Sequence, residues 1–300
     1  MLTEEKKQAL ERYFAEQAAA FPGKVAYLYA EAEKEAGEAG KQGTAAIGMT
    51  AAKGAAEEEK REIFAPVVQA HAAERVVSAS TIKVPIMLCL FDRMEREGIA
   101  FQQRLPVRAE QICEDSVVFE YGAREASLYE LAVWMIVNSD NTATNVLMEY
   151  LGFERMNAYF ASLGLTQTRA ERYMLDFAAV AQGKNNYISP EDFARCMALI
   201  YGKRAEHPLM KTAWDILRKN RDHNALLRYL YEHPACAHKT GGLDDIEHDA
   251  GVFETKNGDY FLGVFVSEFA PGEETVKEAA KLIGRLSRRT YEIRNAGDAV

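Results

Sequence analysis

The chain has 300 residues, of which 48% are hydrophobic and 27% charged, with a formal net charge of −9. That length buries enough surface for one large domain or two smaller ones, and the composition is that of an ordinary globular protein. The acidic balance and the scattered Lys and Arg argue against a nucleic-acid or anionic-membrane binder. No run approaches the ~20 apolar residues of a membrane span.

Residues 1–21 read as an amphipathic helix rather than a secretory leader. Thr3 can cap it, acidic residues follow, and Leu10, Tyr13, Phe14, Ala18 and Phe21 recur at helical spacing. Residues 24–30 read as a strand. The stretch 31–60, rich in Ala, Glu, Gly and Lys, is expected to hold a hairpin with a strand near 44–50 and then a mobile connection. The charge run at 57–62 is expected to be a solvated face. From 80 to about 221 the patterns are helical, over 84–97, 128–137, 142–151, 154–163, 190–201 and 209–219. Strands return at 250–254 and 260–269 around a turn at Asn257-Gly258. A last helix covers 273–293, with Val276, Ala280, Ile283 and Leu286 on one face. Strands at both ends with helices between imply a split α/β domain, residues 1–70 and 227–300, and an all-helical domain, 71–226. A ligand cleft is expected between them.

Three short motifs carry the chemistry. Ser80-Thr81-Ile82-Lys83 precedes the apolar run Val84-Pro85-Ile86-Met87-Leu88, so Ser80 and Lys83 share one helical face, and Pro85 suits a first turn. A helix N-terminus favours developing negative charge, and a desolvated lysine beside other cations becomes a usable base. Ser139-Asp140-Asn141 follows at the end of a buried helix, where a hydroxyl can relay a proton and an amide can hold a substrate amide. Lys239-Thr240-Gly241-Gly242 reads as a strand whose small residues let a ligand approach the backbone. Taken singly, these are an N-cap serine with a surface lysine, a helix cap and a turn. Their order and spacing together form the signature of active-site-serine acyl transfer.

With these motifs the chain resembles the class A β-lactamase-like branch of the penicillin-recognising serine hydrolases. The likeness extends to Met135–Asn145, Tyr187–Ala194 and the stretches around His238 and His248, and covers roughly residues 60 to 290. It implies an α+β fold, with an antiparallel sheet flanked by the terminal helices plus an all-helical insertion. It implies Ser80 as nucleophile, Lys83 as base, Ser139 as proton relay, Asn141 as amide contact, and Lys239 and Thr240 as carboxylate contacts. The backbone N–H groups of Ser80 and Gly242 would form the oxyanion hole. No cofactor and no metal are implied, and the partner is a small acyl substrate.

One departure stands against the matches. The family carries, two residues after an omega-loop arginine, a glutamate that activates the deacylating water, and an asparagine four residues further on. Here Met174 follows Arg172 at the first position and Ala178 stands at the second. Asp176 or Glu171 could substitute only in another register. A β-lactam hydrolase slow to deacylate is therefore expected. The alternatives are a D-alanyl-D-alanine peptidase or esterase, and a penicillin-binding or sensing protein that is acylated and held. Cys89, Cys113, Cys196 and Cys236 show no metal-binding spacing. As thiols they lean towards the cytoplasm, the alternative being an exported protein whose leader lies outside this chain. His238 and His248 are expected to be structural, and Phe119 or Tyr121 to flank the cleft.

Overall fold

The computed structural model describes residues 2–33, 63–232 and 234–296. Of the hairpin and connection expected over 31–60, residues 31 and 32 extend the first strand and 34–60 lie outside the described residues, as does the charge run at 57–62. The elements run in chain order α1 (Glu4–Ala19), β1 (Lys24–Ala32), β2 (Phe64–Ala70), β3 (Val76–Val77), α2 (Lys83–Glu97), β4 (Arg104–Val107), β5 (Arg124–Ser127), α3 (Leu128–Val137) and α4 (Asn141–Leu151). They continue with α5 (Phe153–Ser162), α6 (Phe177–Ala181), β6 (Tyr187–Ile188), α7 (Pro190–Lys203), α8 (Pro208–Leu217), β7 (Ala235–Leu243), β8 (Ile246–Glu254), β9 (Tyr260–Ser267) and α9 (Glu273–Asn295).

A five-stranded sheet, in the order β2-β1-β9-β8-β7, is antiparallel throughout. It joins strands from early in the chain to strands from its last quarter. Side-chain alternation along each strand feeds two cores. Val25, Tyr27 and Tyr29 of β1 join Leu10 and Phe14 of α1 and Leu282, Ile283 and Leu286 of α9 on one face. Ala26, Leu28 and Ala30 join the helical elements on the other. Because both faces are covered, these strands read as continuous apolar runs rather than alternating ones.

The helical part is centred on α2, in which every residue from Lys83 to Phe91 is buried. Its boundaries follow local chemistry. Ser127 and Glu130 form a reciprocal capping box at the start of α3. The Asp140 carboxylate accepts from Ala143 N at 2.7 Å and so starts α4. Ser189 caps α7, with Pro190 in its first turn, and Gly98 ends α2 at φ 65°. The stretch from 80 to 221 is not purely helical. The short ladders β3-β6 and β4-β5 sit within or beside it, pieces too short to leave a period in the sequence. β8 begins at Ile246 rather than 250, because the chain turns directly at Asp244-Asp245 and pairs Leu243 with Ile246.

Candidate active site

The turn carrying Ser80 is set by strand β7 and by its own backbone. Residues Ala79–Ile82 form a 3₁₀ turn that runs directly into α2, so Ser80 stands just ahead of the α-helix. The N–H and hydroxyl of Thr81 both donate to Ser78 O, at 3.0 and 2.6 Å, and fix the turn. Every residue from 78 to 91 is buried except Ser80, which is half-buried. A serine left partly open in so closed a stretch is the position a nucleophile needs. Gly241 of β7 lies against this turn. A Cβ there would fall 2.9 Å from Ser80 N and 3.0 Å from Thr81 N, so only glycine allows the approach. The next residue, Gly242, pairs with Glu247 at the open end of the β7-β8 ladder.

The other motif residues form one polar chain. Lys83 Nζ donates to Ser139 O at 2.5 Å, to Ser139 Oγ at 3.2 Å and to Asn141 Oδ1 at 2.8 Å. Lys239 Nζ donates to Ser139 Oγ at 3.0 Å and to Thr240 O at 2.8 Å. The Ser139 hydroxyl thus lies between two lysine nitrogens. Asn141 Nδ2 donates to Asp115 Oδ2 at 2.7 Å, and Asp115 ends the chain at the solvent side. Burial pulls the Lys83 ammonium well below its usual range, and the nearby charge of Lys239 pushes it further. Burial likewise brings Lys239 down to about 8, partly opposed by the carboxylates of Asp222 and Asp249.

The segment carrying Met174 is clamped by two asparagines. Asn145 of α4 receives Met174 N at 2.7 Å and donates to Met174 O at 3.1 Å. Asn186 Nδ2 donates to Arg172 O at 3.0 Å and lies 3.9 Å from Met174 Sδ. Asn186 O in turn accepts from Ser78 N at 2.9 Å, which ties this segment to the turn of Ser80. The two carboxylates nearest Met174 in sequence are engaged elsewhere. Asp176 caps α6 through Ala179 N at 2.9 Å, and Glu171 pairs with Arg169 at 2.7 Å. Among the described residues five non-glycine residues have positive φ, and three of them adjoin the site: Ala79 (44°), Ser139 (53°) and Leu175 (60°). Each costs about 1–3 kcal/mol and persists only where its surroundings over-determine it.

The model of the β-lactamase enzyme family matches residues 58–293. The chain belongs to that family. It is a serine hydrolase of the class A-like type. It is similar to a β-lactamase of Bacteroides uniformis, 25% identical over 235 residues that cover 71% of this chain and 77% of the relative. Among solved structures, a class A β-lactamase of Bacteroides cellulosilyticus superposes with a TM-score of 0.76 at 20% identity, covering 97% of this chain and 99% of that one. PBP-A superposes with a TM-score of 0.73 at 22% identity, covering 97% and 98%. At these identities the two structures establish the fold, an antiparallel sheet with helices of the β-lactamase/transpeptidase type.

Against that family background the two histidines near the motifs are braces. His238 Nδ1 pairs with Asp249 Oδ1 at 2.9 Å, fully buried. His248 Nε2 sits 3.0 Å from Val77 O, and burial lowers its pKa to about 4, so the neutral ring donates to that carbonyl. Cys89, Cys196 and Cys236 are buried free thiols and Cys113 is half-buried. Burial pushes the Cys89 thiol up to about 12. Phe119 does not flank an opening: it is buried edge-on against Trp134. Tyr121 is 94% exposed. Among the described residues no helix is long and apolar enough to cross a membrane, and no cluster of His, Cys, Asp and Glu could hold a metal. Sequence reasoning missed Asp115, Asn145 and Asn186 as parts of the site. Asn145 was visible only as the last residue of the family-like helix junction, and a lone asparagine or aspartate in a connection carries no signal of its own.

Proposed function

We propose that the protein acts on β-lactams or related acyl compounds through an ester on Ser80, and that it deacylates slowly. The observation carrying this reading is the Ser139 hydroxyl held between Lys83 at 3.2 Å and Lys239 at 3.0 Å, beside a turn that exposes Ser80 alone. An ammonium has three N–H donors, and all three of Lys83 are engaged. Loss of one proton, favoured by the lowered pKa, leaves two donors and a lone pair that can take the proton of Ser80. Ser139 then passes a proton onward to the leaving nitrogen. Lys239, still largely charged at neutral pH, docks the substrate carboxylate together with Thr240. The N–H groups of Ser80 and Gly242 receive the oxyanion, an interaction worth roughly 3–4 kcal/mol per donor in such sites. Asn141 holds the substrate amide.

Slow deacylation follows from Met174. A thioether is a weak acceptor and never a base at neutral pH, and the nearby carboxylates are committed to a helix cap and an ion pair. The same observation favours a second reading, a penicillin-binding or sensing protein acylated once. Under either reading the chain divides into a sheet-bearing part, residues 1–70 and 227–300, and a helical part, 71–226, with Ser80 in the cleft between. The free thiols support a reducing, cytoplasmic setting. Intact-mass measurement after exposure to a small β-lactam panel tests the reading: one acyl adduct, mapped to Ser80 and lost in Ser80→Ala, is expected. An adduct on another residue, or none with any compound, refutes it. Steady turnover of a chromogenic cephalosporin separates the hydrolase from the sensor.

A further inference from the structure

Asp115 is a carboxylate that the three motifs do not account for. It lies in an irregular connection, yet that connection is pinned on both sides of it. Cys113 N donates to Thr142 Oγ1 at 2.8 Å, and Ser116 Oγ donates to Asp140 Oδ2 at 2.5 Å. Both anchors belong to the start of α4, next to Asn141. Asp115 is exposed whereas Asn141 is buried, so the carboxylate stands between that amide and solvent. Its hydrogen-bond partner is Asn141 Nδ2 at 2.7 Å, and it feels the charge of Lys83 from a distance, without a direct ion pair among the described residues. The neighbouring Glu114 is exposed and acidic as well. The nearest motif cation, Lys83, has its donors turned on Ser139 and Asn141.

The orientation of the Asn141 amide is fixed from both ends, because its oxygen faces the Lys83 ammonium and its nitrogen faces Asp115. The NH₂ group has two hydrogens. One serves Asp115, and the other remains for the carbonyl of a substrate amide. Because both hydrogens leave the same nitrogen, a carbonyl accepting the second one would lie on the Asp115 side of the amide. Resting on the function proposed above, we propose that Asp115 determines specificity, selecting acyl substrates that carry an ammonium on the carbon next to the side-chain amide carbonyl. Such an ammonium can form a direct charge-assisted hydrogen bond with the carboxylate, which Lys83 reaches only through its charge. A carboxylate at the same carbon meets like charge.

Three penicillins that differ at this carbon make the test: ampicillin (ammonium), benzylpenicillin (hydrogen) and carbenicillin (carboxylate). Second-order acylation constants are measured by time-resolved intact mass at about pH 6.5, below the ~7.7–8.0 range of α-amino groups. In the wild type ampicillin should react roughly fivefold to thirtyfold faster than benzylpenicillin, the lower part of what a charged hydrogen bond supplies, given the exposure of Asp115. Carbenicillin should be the slowest. Asp115→Asn keeps an acceptor for Asn141 but removes the charge, so the constant for ampicillin should fall much further than that for benzylpenicillin and the advantage of ampicillin should disappear. Selectivity unchanged in Asp115→Asn overturns the proposal. So does an equal loss toward all three compounds, which would make Asp115 only a brace for Asn141. An absence of any adduct overturns the acyl-enzyme reading itself, an outcome distinct from acylation without selectivity.

Discussion

Met174→Glu puts the proposed cause of slow turnover to the test. Glutamate matches methionine in length, with its carboxyl carbon where the sulfur stands. The backbone it hangs from is held independently of the side chain by Asn145, at 2.7 and 3.1 Å. The Asn186 amide, 3.9 Å from the sulfur, becomes a hydrogen-bond donor to the new carboxylate. A positioned general base contributes typically ~10²–10⁴ in rate. With one donor orienting it, the lower end applies, so deacylation should accelerate about 10²-fold while acylation stays within a few-fold. Met174 is only 8% exposed, so the carboxylate is largely desolvated. With one hydrogen bond it should cost about 1–3 kcal/mol of stability, a fall of a few degrees in Tm for a chain of this size. Stopped-flow hydrolysis of a chromogenic cephalosporin measures the effect. The wild type should show a burst followed by slow turnover, and the variant a smaller burst with faster turnover. Unchanged deacylation in a folded Met174→Glu variant refutes the reasoning. So does burst-free wild-type hydrolysis that collapses in Asp176→Asn, which would put the helix-capping carboxylate in the role of base.

The docking of anionic substrates should weaken as pH rises from about 7 to 9. Lys239 loses its proton near about 8, while Glu247, raised to about 8 mainly by burial, becomes negative opposite Gly242. Both changes oppose a carboxylate, so log KM for an anionic substrate relative to a neutral ester should climb between pH 7 and 9 with an average slope of up to about one per pH unit. A flat ratio would remove Lys239 from this role. Gly241→Ala should cut acylation at least ~10²-fold and lower Tm by a few degrees, since its Cβ would press on the backbone at Ser80 N and Thr81 N and a small misplacement of a reacting group costs about that much in rate. Unimpaired acylation in a folded Gly241→Ala protein would show that β7 does not set the turn.

The parts of this molecule with a period or a motif were legible before the structure. Helices α2, α3, α4, α7 and α9 follow apolar spacing, and the order of strands and helices leads to the antiparallel sheet with helices that is observed. Lys83, Ser139, Asn141 and Lys239 meet in one hydrogen-bonded chain, as their order and spacing imply. The Ser80 turn was less legible: it is 3₁₀ rather than α-helical, because β7 packs against it, and no local pattern encodes a strand more than 150 residues away. Asp115, Asn145 and Asn186 were hidden for a related reason. Each acts through hydrogen bonds to residues distant in sequence, Asp115 to Asn141, Asn145 to Met174, and Asn186 to Arg172 and Ser78, and such bonds leave no spacing to read. Phe119 was misjudged because an aromatic in a connection looks the same whether it lines an opening or packs beneath Trp134.

Strand β1 pairs with β9 across most of the chain, Lys24 with Ser267 and Glu31 with Tyr260, and the turn of Ser80 rests on β7. Closing loops of that length is slow, and such non-local pairing delays folding. During synthesis Ser80, Lys83, Ser139 and Asn141 emerge long before Lys239 and Gly241 do, so Ser80 exists as a residue well before its surroundings do. The helical elements built on α2 can collapse early, but the strand that presses the turn into place, and the partners that hold that strand in the sheet, come from the last quarter of the chain. The arrangement around Ser80 is thereby completed last, and a chain cut short before β7 cannot close the turn against it.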